Sequence, residues 1–405
     1  VGLGAATATR RSRLSHRIAI AASSAAEAIH VLGGASLEDA GAGAAVSRGR
    51  VSPGHEARPV FVFSGQGSQW IGMGSALLRD EPTARAAIEE IDAIFEPLAG
   101  WSLRRAMEGG DAPWTLDDTA FAQPAIFAVQ VAVARLLDTW GVRPFAVVGH
   151  SVGEIAAGYV AGHLDLRTAV RMVYQRGRLM QEADSHGAML AARLDRAEAE
   201  AVVSTAEGGV QLAALNAPRS VVFSGPARAV VALEEQLETR GTRVRRLPVR
   251  YGFHSAMMTP IASRIGALLI EAEAPSGPTR APVCDLVSTI TGTRLGAGEF
   301  DARHLAAGVD GPVLFEPAIA RTLERGATAF LEIGPRPVLT GDLIAIAEAH
   351  GHDVPALATL RRDHGGRTAM VEAAGALFCA GIEPDWSELI GSAPADVALP
   401  GYPWQ

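Results

Sequence analysis

The sequence predicts an α/β protein: a large unit on a mainly parallel sheet, carrying a small inserted βαββαβ unit of the ferredoxin-like kind. Two observations predict it. Val60-Phe61-Val62-Phe63, Phe145-Ala146-Val147-Val148 and Ala329-Phe330-Leu331-Glu332-Ile333 are near-continuous apolar runs separated by helical patterns. Strands apolar on both faces belong in a parallel sheet with helices on either side. Between about 187 and 250 that rhythm gives way to short strands and helices in the order βαββαβ.

In chain order, residues 1–57 stand apart. Arg17-Ile18-Ala19-Ile20-Ala21 alternates like a short strand, and Ser23 and Ser24 can cap a helix reaching about Leu32. A Gly/Ala-rich stretch follows, and Val1 is not a natural start, so the chain is expected to come from something longer. The large unit spans 58–360. After its second apolar run, 154–161 and 167–180 read as helices. Within the insert, 189–194, 210–214, 220–224 and 243–248 read as strands, and 196–206 and 227–240 as helices. Beyond 361, one helix near 369–380 precedes a Pro/Gly-rich tail, Leu399-Pro400-Gly401-Tyr402-Pro403-Trp404-Gln405, expected to wrap back over the body.

Composition narrows the function classes. At 405 residues and 48% hydrophobic, the chain can bury a substantial core. A net charge of −8 argues against a nucleic-acid partner, which wants a basic face. All 36 basic residues are arginine, which reads as codon bias and not as a functional signal. Cys284 and Cys379 form no CxxC pair and read as free thiols, not as a disulfide or a metal site. With no charged-then-apolar leader, and apolar stretches broken well short of the ~18–20 residues of a span, a soluble cytoplasmic protein without a membrane partner is expected.

The chemistry concentrates in four places. Gly149-His150-Ser151-Val152-Gly153 fits G-x-S-x-G, and the preceding apolar strand and following helical run frame it as an α/β-hydrolase-like nucleophile elbow. A sharp turn there lifts the Ser151 hydroxyl above the sheet. Its base is sought in Arg250-Tyr251-Gly252-Phe253-His254-Ser255, where the chain leaves the insert; His150 adjoins the nucleophile but is expected to point away. Phe63-Ser64-Gly65-Gln66-Gly67-Ser68-Gln69 is a glycine-flanked turn able to aim the Gln66 N–H at the same mouth as the Val152 N–H, as an oxyanion hole. Arg176 lies beside the apolar stripe of its helix, whereas Arg171 and Arg178 fall toward the polar side. A half-buried guanidinium needs an anion; pattern alone favours an internal Asp or Glu.

These motifs, in this order and spacing, resemble the acyltransferase domains of modular type I polyketide synthases, related to malonyl-CoA:acyl-carrier-protein transacylases. Gly65-Gln66-Gly67-Ser68-Gln69, Gly149-His150-Ser151-Val152-Gly153, Gln175-Arg176-Gly177-Arg178 and Phe253-His254-Ser255 carry the resemblance, which spans nearly the whole chain. It implies ping-pong transfer, with Ser151 as nucleophile, His254 as base, the Gln66 and Val152 amides as oxyanion hole, and Arg176 clamping the substrate's free carboxylate. It also implies an acyl pocket drawing on His150, Gln123, Tyr251 and Phe253. The implied donor is an acyl-CoA and the acceptor is the phosphopantetheine thiol of an acyl carrier protein, with no permanently bound cofactor or metal. The implied neighbour is a ketosynthase joined through 1–57. Leu360-Arg361-Arg362-Asp363 and the closing Leu399-Pro400-Gly401-Tyr402-Pro403 resemble the linker that follows such domains.

The family lacks a triad acid, so a backbone carbonyl or amide side chain is expected to orient His254. The usual Tyr-Trp-x-x-Asn segment reads His304-Leu305-Ala306-Ala307-Gly308 here, and a main-chain carbonyl from that loop is the expected substitute. Thr119-Ala120-Phe121-Ala122-Gln123 and Phe253 resemble malonyl-loading members, while Tyr251 is usual in methylmalonyl-loading ones. Crowding by Phe253 favours malonyl. The competing readings are a serine esterase or thioester hydrolase, a starter-unit or editing acyltransferase, and a non-enzymatic docking fragment.

Overall fold

The apolar runs of the sequence pair side by side. The computed structural model describes residues 2–33, 45–183, 186–271, 282–362, 364–392, 394 and 396–401. Asp363 and residues 402–405 of the expected C-terminal linker, and 34–44 of the Gly/Ala-rich stretch, lie outside them. In chain order the strands are β1 (His16–Ala21), β2 (Ala45–Arg50), β3 (Pro59–Phe63), β4 (Ala146–Gly149), β5 (Gly187–Ala192), β6 (Gln211–Ala217), β7 (Ser220–Pro226), β8 (Val244–Arg246), β9 (Asp285–Val287), β10 (Val313–Leu314), β11 (Ala329–Ile333) and β12 (Ala356–Ala358).

The main sheet has the order β12-β11-β3-β4-β9, with every pair parallel. β3, β4 and β11 are buried at every residue, which is why their sequences show no alternation. The edge strands β9 and β12 escape sequence reading because three residues cannot display a period. The helix Thr119–Thr139 packs against Pro82–Ala99 and Leu166–Gln181. By length and composition alone it would pass as a membrane span, against the expectation that no apolar stretch reaches that length. Here 94% of its most apolar window is buried inside the fold.

The insert folds as its pattern predicts. β5 pairs antiparallel with β7 and β8, and β6 with β7, giving the order β6-β7-β5-β8. Side chains alternate across this sheet. Leu190, Val221 and Phe223 face the two helices Arg196–Thr205 and Ala227–Thr239 in a small core of their own. Met189, Ala214 and Val222 join the large core. A fifth strand comes from outside the insert: β10 adds in parallel to β6, with Val313 opposite Ala214. This two-residue strand, invisible in sequence, ties the small sheet to the chain that follows Gly311.

The two ends of the chain meet. β1 and β2 pair antiparallel and pack on the helix Gly366–Cys379. Arg17 donates to the Phe378 carbonyl at 2.9 Å, and its guanidinium lies 4.7 Å over the Phe378 ring. Both cysteines are free thiols.

At the C-terminal edge of the main sheet, register decides which loops share a mouth. Phe63 pairs with Gly149 and with Ile333, so the turn after β3, the elbow after β4 and the loop after β11 emerge together. The elbow sits on β3 so closely that a Cβ on Gly153 would lie 2.2 Å from the Phe63 carbonyl oxygen. Gly153→Ala is therefore expected to destabilise the fold by ~1–3 kcal/mol in urea denaturation, since backbone must shift to admit the methyl. Gly341→Ala, in the helix Thr340–Ala349 with nothing within 4 Å of the added carbon, should be neutral or slightly stabilising in the same measurement.

Candidate active site

β4 ends at Gly149, and the chain reverses through His150 and Ser151 into the helix Gly153–Val160. Ser151 has φ 53°, and His254, at φ 59°, is the only other non-glycine residue with positive φ among those described. Left-handed backbone costs an L-residue roughly 1–2 kcal/mol. Such strain persists only where the surroundings fix it. Here the fixing is visible: His150 N–H donates to the Phe63 carbonyl at 2.8 Å, and Gly153 is pressed on the same residue.

The two strained residues touch. Ser151 Oγ lies 2.8 Å from His254 Nε2, and His254 Nδ1 lies 3.0 Å from the main-chain carbonyl of Gly311. A carbonyl can only accept, so Nδ1 carries the proton and Nε2 is free to accept the serine hydroxyl. Burial holds the imidazole far below its ordinary range, to about 3, with the positive charge of Arg176 pushing the same way. At neutral pH the ring is uncharged and able to take a proton. Gly311 closes the helix Ala302–Asp310, and its carbonyl lies three residues beyond Gly308, the end of the segment expected to supply one. Within it, a Cβ on Gly308, where the family favours Asn, would meet Ile290 Cδ1 at 2.6 Å.

Arg176 reaches the nucleophile from the helix Leu166–Gln181. Only 6% exposed, it donates from Nη2 to Ser151 Oγ at 3.0 Å and from Nη1 to Gln123 Oε1 at 2.8 Å. Burial lowers its pKa to about 10, Glu154 opposing, so it stays charged at pH 7. The internal Asp or Glu that pattern alone favoured is absent: among the described residues no carboxylate lies within salt-bridge distance of Arg176. A buried guanidinium without an anion is costly unless something arrives to pair with it. Gln123 Nε2 continues the line to Gln66 Oε1 at 3.3 Å. Gln66, Gln123, Arg176, Ser151, His254 and Gly311 thus form one polar run.

The Gly65–Gln69 turn is pinned from several sides. Gln69 Oε1 accepts from Gly67 N–H at 2.6 Å, Ser68 Oγ donates to Gly65 O at 3.0 Å, and Arg336 donates to Gly67 O at 2.7 Å. Neither the Gln66 nor the Val152 N–H meets a protein acceptor among the described residues. His150 turns away from the hydroxyl. Its Nε2 lies 2.9 Å from Asn216 Oδ1 and its ring is 5.4 Å from that of Phe315. Tyr251 and Phe253 are buried and stack on each other, ring centroids 5.1 Å apart.

Two residues at the site escaped sequence reading. Glu154, three positions after Ser151 and 1% exposed, accepts from Ser288 Oγ at 2.8 Å and from the Thr289 N–H. It is the only charge on the helix Gly153–Val160, and a lone acid on an apolar helix is the signal that was available. Thr289 had none, since its role rests on contacts across more than a hundred residues.

Residues 60–384 match the family described as the acyl transferase domain. The chain is 36% identical over 410 residues to erythronolide synthase of Saccharopolyspora erythraea, covering 100% of this chain and 11% of the relative. It is 37% identical over 401 residues to a phenolphthiocerol synthesis polyketide synthase type I of Mycobacterium marinum, covering 98% of this chain and 18% of that one. The chain therefore spans less than a fifth of the length of these curated relatives. Among solved structures it resembles the acyltransferase domain from the second module of the salinomycin polyketide synthase. There the TM-score is 0.83 at 35% identity, covering 98% of this chain and 90% of that one. It also resembles the malonyl CoA-acyl carrier protein transacylase of Clostridium perfringens, with TM-score 0.65 and 28% identity over 75% of this chain and 94% of that one. Fold, matched family and relatives converge: the chain belongs to the acyl transferase domain family, in the branch found in modular polyketide synthases.

Proposed function

We infer that this acyltransferase moves a malonyl group from malonyl-CoA to the phosphopantetheine thiol of an acyl carrier protein, through an ester on Ser151. The observation that carries the inference is Arg176: a buried, charged guanidinium in contact with the nucleophile and lacking a carboxylate among the described residues. A substrate carboxylate placed there would replace the hydrogen bond to Ser151 and free the hydroxyl to attack.

In the first half-reaction His254 Nε2 takes the Ser151 proton as Oγ attacks the thioester carbonyl. The oxyanion would lie against the Gln66 and Val152 N–H groups. Collapse breaks the C–S bond, and the proton on His254 leaves with coenzyme A. The second half-reaction reverses these roles: the carrier thiol gives its proton to His254, sulfur attacks the acyl-serine, and Ser151 recovers the proton. Neither half needs a bound cofactor. The Gly311 carbonyl stabilises the charge that appears on His254 in both.

We read 1–57 and 361–405 as linkers flanking a domain at 58–360, with a ketosynthase as neighbour in a cytoplasmic synthase. The packing of the β1–β2 pair on the helix Gly366–Cys379 supports joined linkers. His150, Gln123, Tyr251 and Phe253 would line the acyl pocket. The stack of Phe253 on Tyr251 supports malonyl over methylmalonyl, because a ring held by its neighbour cannot swing aside for a branch. A hydrolase is disfavoured by the want of an acid at His254 Nδ1, where a carbonyl stands.

Brief incubation with malonyl-, methylmalonyl- and acetyl-CoA in competition, read by intact-protein mass, should give a malonyl adduct on Ser151. Ser151→Ala should give none, and free acid accumulating instead of adduct would mark a hydrolase. Arg176→Ala should cut malonyl transfer at least a hundredfold while changing acetyl transfer by less than tenfold, the loss of a charge-assisted bidentate contact. Because His254 stays neutral down to about 3, the acylation rate should hold level from pH 8 to pH 5 in stopped-flow assays. A fall centred at the ordinary imidazole value of ~6.5 would contradict this.

A further inference from the structure

Two halves of the site that are far apart in sequence meet on Thr289. On one side stands the nucleophile's elbow. Thr289 Oγ1 lies 2.7 Å from the carbonyl of Gly149, the last residue of β4, and 3.0 Å from Glu154 Oε1 in the first turn of the elbow helix. The Thr289 N–H donates to the same Glu154 oxygen, and Ile290 N–H approaches it at 3.3 Å. On the other side stands the support of the base. The Thr289 carbonyl accepts from Leu314 N–H at 2.6 Å, and Leu314 lies three residues beyond Gly311, whose carbonyl holds His254 Nδ1.

Thr289 itself is 1% exposed and Glu154 equally so. Burying a carboxylate and a hydroxyl costs several kcal/mol unless their hydrogen bonds are made. Glu154 meets that cost with Ser288 Oγ, Thr289 N–H and His304 Nε2, the last at 3.2 Å. All three donors lie between residues 288 and 304, so the carboxylate fastens the elbow to the segment that runs from β9 toward Gly311.

We propose that Thr289 and Glu154 are positioning residues for acyl transfer, forming the joint that sets the Gly311 carbonyl, and through it His254, against Ser151. The inference rests on the acyl-serine mechanism above. Neither residue touches substrate. The effect of the Thr289 hydroxyl falls on the Ser151–His254 geometry, which both half-reactions use, whereas the Glu154 charge also bears on Arg176. Misplacement on the ångström scale costs such a pair up to about a hundredfold in rate.

Thr289→Val keeps the shape and the backbone contacts and removes only Oγ1; Thr289→Ser keeps Oγ1. The measurements are rapid-quench intact mass for acylation by malonyl-CoA, and transfer from the acyl-enzyme to pantetheine. Thr289→Val should slow both steps by the same factor, roughly ten- to hundredfold. KM for malonyl-CoA should stay within about twofold and occupancy should still reach one acyl group per chain; Thr289→Ser should recover about a third or more of the wild-type rate. Wild-type speed in Thr289→Val, equal slowing by Val and Ser, or a fall in final occupancy in place of rate would each overturn the joint. If Thr289→Val does not fold, Thr289→Ala is judged against Thr289→Ser by the same rate, KM and occupancy criteria. Absence of any Ser151 adduct in the wild type would instead overturn the mechanism on which the inference stands.

Discussion

Everything near the site serves one contact, the 2.8 Å hydrogen bond between Ser151 Oγ and His254 Nε2. Its two residues are separated by the whole insert and each is held in left-handed backbone that its side chain disfavours. Strain of this kind survives only if the rest of the chain fixes both ends independently. β3 fixes the serine end, through the His150 N–H and the glycine contact at Phe63. The small sheet and the Gly311 carbonyl fix the histidine end. The insert is thus the arm that carries the base back to the main sheet, and β10 is the stitch that keeps it there.

Buried charge is the second organising constraint. Arg176 is desolvated with only amide and hydroxyl partners, Gln123 and Ser151. Glu154 and Glu332 are desolvated carboxylates that are fully employed. Glu332 sits on β11 and accepts from the amides of Val338 and Leu339 and from Thr340 Oγ1 at 2.8 Å, folding the loop that borders the mouth. Two acids are saturated by donors that shape loops, whereas the arginine has only uncharged partners, one of them the nucleophile. That asymmetry distinguishes structural buried charge from charge awaiting a ligand.

In the proposed mechanism the same imidazole works in both half-reactions, and a carbonyl stands behind it in place of a carboxylate. With burial holding the ring neutral, a full negative charge at Nδ1 would oppose its return to that state after each proton transfer. The dipole of Gly311 fixes the tautomer without that bias. The glutamine run from Gln66 through Gln123 to Arg176 completes a site whose charged guanidinium has only uncharged hydrogen-bond partners.

Several features were legible in the sequence because they rest on local physics. Continuous apolar runs gave β3, β4 and β11, the succession of short strand-like and helix-like stretches gave the βαββαβ order, and glycines about Ser151 gave the elbow. The stripe on Leu166–Gln181 singled out Arg176 from Arg171 and Arg178, whereas His254 as the base came from the family resemblance of its motif. Other features depend on partners brought together only by packing. Two- and three-residue strands and the pairing of His150 with Asn216 belong to this class. So does the absence of an acid beside Arg176, where helix pattern pointed to an internal one. Sequence determines which side chains are available and which face each occupies, because those follow from period and backbone preference. Only the tertiary fold decided which buried polar group at the site meets which, since the pairings of His150, Ser151, Arg176 and Glu154 join residues tens to more than a hundred positions apart and are set by desolvation in a shared interior.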